Sequence, residues 1–353
     1  MNGINLTGRI DLNATLLRER ISDLGERIAT GRKGNSYAAL KTDAPKSIDL
    51  RAEVTRREAY KNTIDQTLAK IEITQDVLNR IGAIAERFAA GTVKLMGAAK
   101  PEEIQIQAGA AKAALVEVAN LLNEQYSGEY LFAGSHTRQP PVPNPDAILT
   151  SGMVVGIGAQ VASLGPTNAV AVLNQTKILA QSNASGTTPF SDFLSTGAGL
   201  TEGRRNLLGS DNERIEYGLF ANRNAASVSS GETTGSWARD LLRGLASIAG
   251  LTPEKSQLGE SYNTFITTVQ QGLKSSVNAL ALERGALGIT EARMESVKTL
   301  HESVTNSLTL QVSEIEDVDM AKTITSFQAT QTQLEASYRA LAISQQLSLT
   351  RFL

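Results

Sequence analysis

The sequence predicts a mainly α-helical fold. Long antiparallel, coiled-coil-like helices are formed by both chain ends, and a small β-containing outer domain is inserted in the middle. Three observations predict it. Apolar residues recur at 4-3-4-3-4 spacing near both ends, the pattern of helices that wrap one another. Of the 9 prolines, 7 stand at Pro140, Pro141, Pro143, Pro145, Pro166, Pro189 and Pro253, so helix breakers crowd the middle. Aromatic residues are only 5% of the 353 residues, against 41% hydrophobic, which is thin for a compact enzyme.

The first helix carries Ile10, Ala14, Leu17, Ile21, Leu24 and Ile28 on one seam. It stops at "TGRKGN", where Gly31 and Gly34 permit the angles of a helix end. A second helix starts near Asp43 and Pro45, an N-cap candidate followed by a first-turn proline, and runs through Ile64, Leu68, Ile71 and Leu78 to about Gly97. Pro101 and Glu102 restart the helix, and Ile104, Ala108, Ala111, Leu115, Val118 and Leu122 repeat the spacing.

In the middle, "ERIEYGLFANR" alternates Ile215, Tyr217 and Leu219 on one face and reads as a strand; "MVVGIGAQV" reads as another. "WARDLLRGLASIAG" reads as a short amphipathic helix through Trp237, Leu241, Leu245 and Ile248. Thr252, Pro253 and Glu254 then open a long helix through Tyr262, Ile266, Val269, Leu273 and Leu280 into Leu287, Met294, Val297, Val304 and Leu308. After the polar "SEIEDVDM", a last stripe carries Ile324, Phe327, Leu334, Tyr338, Leu341 and Phe352, with Gln331, Gln345 and Ser348 at weaker positions. The expected division is terminal helices at 1–33 with 314–353, a helical rod at 34–133 with 251–313, and the outer domain at 134–250.

Composition excludes several functions. A net charge of −2 suggests no nucleic-acid partner and no attraction to acidic membranes. No cysteine is present, so thiol, disulfide and Cys-metal chemistry are excluded. No apolar run approaches the ~20 residues of a membrane span, so no membrane insertion is expected. "MNGINLTGRIDLN" lacks a basic region followed by an apolar one, so export by a cleaved signal peptide is not expected.

Chemistry is hard to find. The two histidines are His136 and His301. "HESVT" begins like a zinc-protease helix but has Thr305 where the second imidazole must stand, so a hydrogen-bonded seam residue is the better reading of His301. "GERIATGRKG" spaces Gly25 and Gly31 wrongly for a phosphate loop, with Arg32 in the lysine position. Arg27, Arg32 and Lys33 read as a solvated loop rather than an anion site. Glu314, Glu316, Asp317 and Asp319 read by default as an exposed turn, with a helix break or partner contact as the alternative. No catalytic, cofactor or metal-ligating residue is assigned.

The terminal stripes point instead to assembly. Burying the first seam against a single partner helix is marginal against the backbone entropy of ordering so long a segment. Within residues 331–353 only Glu335, Arg339 and Arg351 are charged, while nine residues are Gln, Ser or Thr, a face suited to packing on further helices. The two ends are therefore expected to pair with each other and then with neighbouring subunits. The expected subunit-interface residues are Ile10, Leu17, Ile21, Leu24, Ile28, Ile324, Phe327, Leu334, Tyr338, Leu341, Leu347 and Phe352.

Three stretches resemble the flagellin superfamily, and within it the hook–filament junction branch. They are "INLTGRIDLNATLLRERISDLGERIATGRKGNS", "LLNEQYSGEYLFAGSHTRQPP" and "EDVDMAKTITSFQATQTQLEASYRALAISQQLSLTRFL". The ending with "QQLSL" and a final "FL" is closer to the junction branch than to filament flagellins. "NSYAALKTDAPKSIDL" departs from the family pattern except at Asp43, Ala44 and Pro45, and the outer domain resembles nothing recognised.

The resemblance implies an extracellular structural protein of the bacterial flagellum, passed through the flagellum's own type III export channel. An export chaperone would hold the C-terminal region beforehand. Copies would form a ring, with terminal helices innermost, between an adjoining hook-associated protein and flagellin subunits; no cofactor is implied. A filament-forming flagellin is the alternative. A surface adhesive module in the middle domain is a further one, although "SGMVVGIG" and "ERIEYGLF" offer no cluster of exposed aromatics.

Overall fold

A computed structural model describes the backbone of residues 3–97 and 99–349, and the side chains of residues 9, 11–97 and 99–343. Helix α1 (Gly3–Thr30) stops where the sequence predicts. Gly31 turns the chain at φ +71°, and its N–H donates to the Arg27 carbonyl at 2.9 Å. A 3₁₀ segment (Tyr37–Asp43) leads into α2 (Ala44–Lys94), which carries Pro45 in its first turn. Gly97, at φ +73°, donates its N–H to Asn263 Oδ1 at 2.8 Å. Helix α3 (Pro101–Leu122) begins at the predicted proline and buries all six residues of its expected seam.

The middle of the chain is more helical than the sequence suggests. Strands β1 (Gln125–Tyr126) and β2 (Glu129–Tyr130) form a minimal hairpin about Ser127 and Gly128, both at positive φ as a type I′ turn requires. Then come α4 (Gly152–Ala162), α5 (Ala169–Gln181) and the single turn α6 (Asp192–Ser195). The strand expected at "MVVGIGAQV" is therefore α4. Gly156 serves close packing: a Cβ there would lie 3.1 Å from Leu179 of α5. Ser151 caps it, accepting from the Val154 N–H.

Strands β3 (Asn206–Ser210) and β4 (Glu213–Glu216) form an antiparallel hairpin with Leu207 opposite Ile215. The strand expected in "ERIEYGLFANR" thus exists but ends at Glu216. Beyond it, buried Leu219 and Phe220 join the core, and Phe220 bridges to Ala133.

Helix α7 (Trp237–Ala249) is the predicted amphipathic helix, but every one of its residues is buried. Thr252-Pro253-Glu254 starts only a 3₁₀ segment (Pro253–Leu258), broken at Gly259 with φ +61°. The long helix α8 (Glu260–Glu316) begins just after it, and α9 (Met320–Leu349) follows a three-residue break.

The chain divides into two compact units, Met1–Ala59 with Leu300–Leu353, and Tyr60–Thr299. In the second, one hydrophobic core runs from Ile64 through α3 and α7 to Val297, with Trp237, Phe132, Phe220 and Phe265 fully buried. In the first, α1 and α9 pack against each other. A bridge of Arg32 to Asp317 at one end, and a contact of Arg18 with Tyr338 further along, make the pair antiparallel. Among the described residues no helix is long and apolar enough to cross a membrane.

Candidate assembly surface

The α1 side of the terminal pair follows the predicted seam. Ala14 and Leu24 are buried, while Leu17, Ile21 and Ile28 are half-buried. The side chain of Ile10 lies outside the described residues, as do those of Leu347 and Phe352.

On α9 Thr323, Phe327, Thr330, Leu334, Ser337 and Leu341 are buried or half-buried, again spaced 4-3-4-3-4, with Ser326 half-buried beside Phe327. Thr323 and Thr330 are buried and return their hydroxyls to the carbonyls of Asp319 and Ser326, each at 2.7 Å, so neither leaves a polar atom unsatisfied. Ile324 and Tyr338, expected in the interface, lie at the seam's margin at 40% and 39% exposure. Arg18 donates from Nε to the Tyr338 hydroxyl at 2.5 Å and stands 5.4 Å from the centre of its ring. Leu12, Leu16 and Ile343 are exposed. The pair thus covers one apolar face of α1 and leaves others open.

The break between α8 and α9 is fastened rather than loose. Val318 donates its N–H to the Gly31 carbonyl at 2.9 Å, and Lys33 donates its own to the Glu316 carbonyl at 2.7 Å. Lys33 Nζ reaches the last carbonyls of α8, at Glu314 and Ile315, where a cation also suits the helix dipole. Asp319 accepts from the Lys322 N–H at 3.0 Å, an N-cap for α9.

Glu316 contradicts the reading of an exposed turn: it is buried and accepts from Ser47 Oγ and Arg51 Nε, each at 2.6 Å, and from Arg51 Nη2. The Arg51 guanidinium holds the Glu316 carboxyl down at about 2, aided by the Ser47 hydroxyl and opposed by burial. The same bond raises Arg51. Sequence reasoning missed this pair because Arg51 and Glu316 are 265 residues apart and each sits in a run of ordinary helix charges.

His301 is buried with its Nδ1 3.3 Å from Arg57 Nη1, in keeping with a hydrogen-bonded seam residue. His136 lies half-exposed against the Phe193 ring, 4.9 Å between centres. Arg239 of α7 is a buried cation bonded to neutral groups: the carbonyls of Asn222 at 2.8 Å and Ala180 at 2.7 Å, and Asn183 Oδ1 at 2.5 Å. Desolvation lowers it to about 10. It ties α5 and the 222 loop to α7. Among the described residues no group of three metal-binding side chains comes together.

Residues 270–353 match the family model of the bacterial flagellin C-terminal helical region. A stretch of 79 residues is 39% identical to flagellar hook-associated protein 3 of Escherichia coli (strain K12), covering 22% of this chain and 25% of that protein. The match spans about a quarter of the length of that curated relative. The matched family region takes in most of α8 and all described residues of α9.

Proposed function

We propose that this flagellin-like chain is a structural subunit of the bacterial flagellum that joins the hook to the filament. It self-assembles through its terminal helices and performs no catalysis. The observation that carries this reading is the α1–α9 pair. It leaves Leu12, Leu16 and Ile343 in water at 62%, 54% and 58% exposure, on helices whose mutual seam is half Thr, Ser and half-buried aliphatics. Such a pair gains most of its burial from further helices. Likeness to hook-associated protein 3 over 79 residues supports the junction role over that of a filament subunit.

In this reading residues 1–33 and 314–353 form the inner assembly core, 34–133 with 251–313 the rod, and 134–250 the outward domain. Ile10, Leu17, Ile21, Leu24, Ile28, Ile324, Phe327, Leu334, Tyr338, Leu341, Leu347 and Phe352 build that core: Leu24 closes the seam within one chain, and residues that the pair leaves partly exposed meet neighbouring subunits together with Leu12, Leu16 and Ile343. Partners are copies of itself in a ring, an adjoining hook-associated protein, flagellin, and an export chaperone at the C-terminal region. The chain leaves the cell through the flagellar export channel.

Electron microscopy of cells labelled against this chain tests the reading. One band at the outer end of the hook is expected, and deletion of the gene should leave hooks that shed filament subunits. Label along the whole appendage would assign it to the filament instead.

A further inference from the structure

Helix α8 carries a second, outward seam. At 100° per residue, Asn278, Leu282, Gly285, Ile289, Ala292, Ser296 and Thr299 fall on one face at 4-3-4-3-4-3 spacing, and all are exposed. No charge interrupts that face. Leu282 and Ile289 stand 56% and 75% exposed, seven residues and about 10 Å apart, with Gly285 between them and open space around its Cα.

A groove of about 570 Å³ lies between α2 and α3 in the same compact unit, with Ala90, Gly91, Ala110 and Ala113 among its lining. Exposed Val93 and Ile106 belong to the same stretches of these two helices. Small side chains on two neighbouring helices let a third approach closely and accept its larger residues.

We infer that the α8 face of one copy docks into the α2–α3 groove of a second copy. The inference deepens the assembly reading above and rests on it for the partner's identity. Charge on the margins favours this occupant. The groove is basic on its α2 side, with Arg87 and Lys94, and acidic on its α3 side, with Glu117. Among the described residues none of these three makes an ion pair. The α8 face has one edge marked by Glu295 and the opposite edge by Arg293; each has a partner in its own chain, Lys298 at 3.6 Å and Glu213 at 2.7 Å, yet keeps over half of its side chain exposed. One of the two ways of laying α8 in the groove sets Glu295 toward Arg87 and Lys94, and Arg293 toward Glu117. The core of the contact is then neutral and its rim charged.

The two faces differ, so the contact is head-to-tail and propagates from copy to copy, as a ring or filament requires and a two-fold dimer does not.

The absence of cysteine in the full chain permits a direct test. Ile289→Cys and Ala113→Cys would be placed in separate chains and in one chain, then oxidised at rising protein concentration. Mixing the singly substituted chains should give one covalent heterodimer, and the doubly substituted chain a ladder of higher multimers. Adding Leu282→Arg to the chain that carries Ile289→Cys and Ala113→Cys should abolish the ladder while leaving the circular dichroism spectrum unchanged. Covalent dimers from Ile289→Cys alone would overturn the groove as occupant in favour of α8 against α8. A chain that sediments as assemblies without cross-linking would overturn the inference while leaving the assembly reading intact. One that stays monomeric and uncross-linked at its solubility limit would overturn it as well, and band-like labelling in cells would still decide the junction role separately.

Discussion

Arg51 on α2 grips Glu316 at the last turn of α8 through both Nε and Nη2, and Ser47, one turn earlier on α2, completes the carboxylate's bonding. Two helices that begin far apart in sequence are locked at the point where α8 gives way to α9. The carboxylate is buried while the arginine keeps 42% of its side-chain surface exposed, so the pair draws on a partly desolvated bond without stranding the cation.

This pair makes the terminal unit acid-sensitive. The folded Glu316 titrates at about 2, below the ordinary 4.5, so the unfolded chain takes up the proton first. Its contribution is full above about pH 4.5 and is lost as pH falls toward 2. Allowing for solvent around Arg51, the loss is about 1–2 kcal/mol. Glu316→Gln should cost a similar amount at pH 7 and flatten the stability profile of the terminal unit between pH 4.5 and 2. Amide exchange in α9 followed against pH checks both; an unchanged profile in the variant would assign the acid step elsewhere.

Gly31→Ala tests the turn that starts this junction. The site has open space for a methyl group, so any cost is backbone strain at φ +71° alone, about 1–2 kcal/mol. Gly31→Asn should cost less, because Asn tolerates this region. Thermal melts of the three chains would order them Gly, Asn, Ala, and equal melting points would mean the loop relaxes to a different turn.

The legible parts of the fold were those where one kind of residue could hold only one kind of place. Six apolar residues at 4-3-4-3-4 spacing gave α3 its buried face, and Pro101 its first turn. Glycine was ambiguous. In "MVVGIGAQV" the alternation of Val, Ile and Gly looks like a strand, whereas Gly156 and Gly158 both lie on α4, and Gly156 lets α5 come close. Threonine was hidden for a similar reason. Thr323 and Thr330 count as polar in a pattern search, yet by bonding back into their own helix they occupy the α9 seam as small apolar residues. Glu316 was illegible because its partner is distant and its neighbours are also acidic.

Two glycines in helix interiors should respond to alanine in opposite directions. A Cβ on Gly244 of α7 would lie 2.5 Å from Leu273 Cδ2, inside the packed core, so Gly244→Ala should destabilise the larger unit by about 1–3 kcal/mol. Gly285 meets nothing within 4 Å, so Gly285→Ala should stabilise the monomer by about 0.5–1 kcal/mol through helix propensity. Urea titration separates them; a loss at Gly285 would show that the α8 surface there is covered even in the monomer.

The terminal pair should be the least protected part of the monomer. Its seam buries Ala14 and Leu24 on one side and two threonines on the other, while the larger unit closes a core around Trp237, Phe132 and Phe265. Local opening free energy follows buried apolar contact, so amides of α1 and α9 should exchange well before those of α7 in dilute chain. Leu24→Ala removes a buried aliphatic from a seam with little else to spare, and should cost about 2–3 kcal/mol locally. That loss should speed exchange in α9, its partner, and leave α7 unaffected. Raising the concentration until the chain assembles should slow both terminal helices together. Termini as protected as α7 in the monomer would mean that the seam is sufficient by itself, and the exposed Leu12, Leu16 and Ile343 would then no longer argue for neighbours.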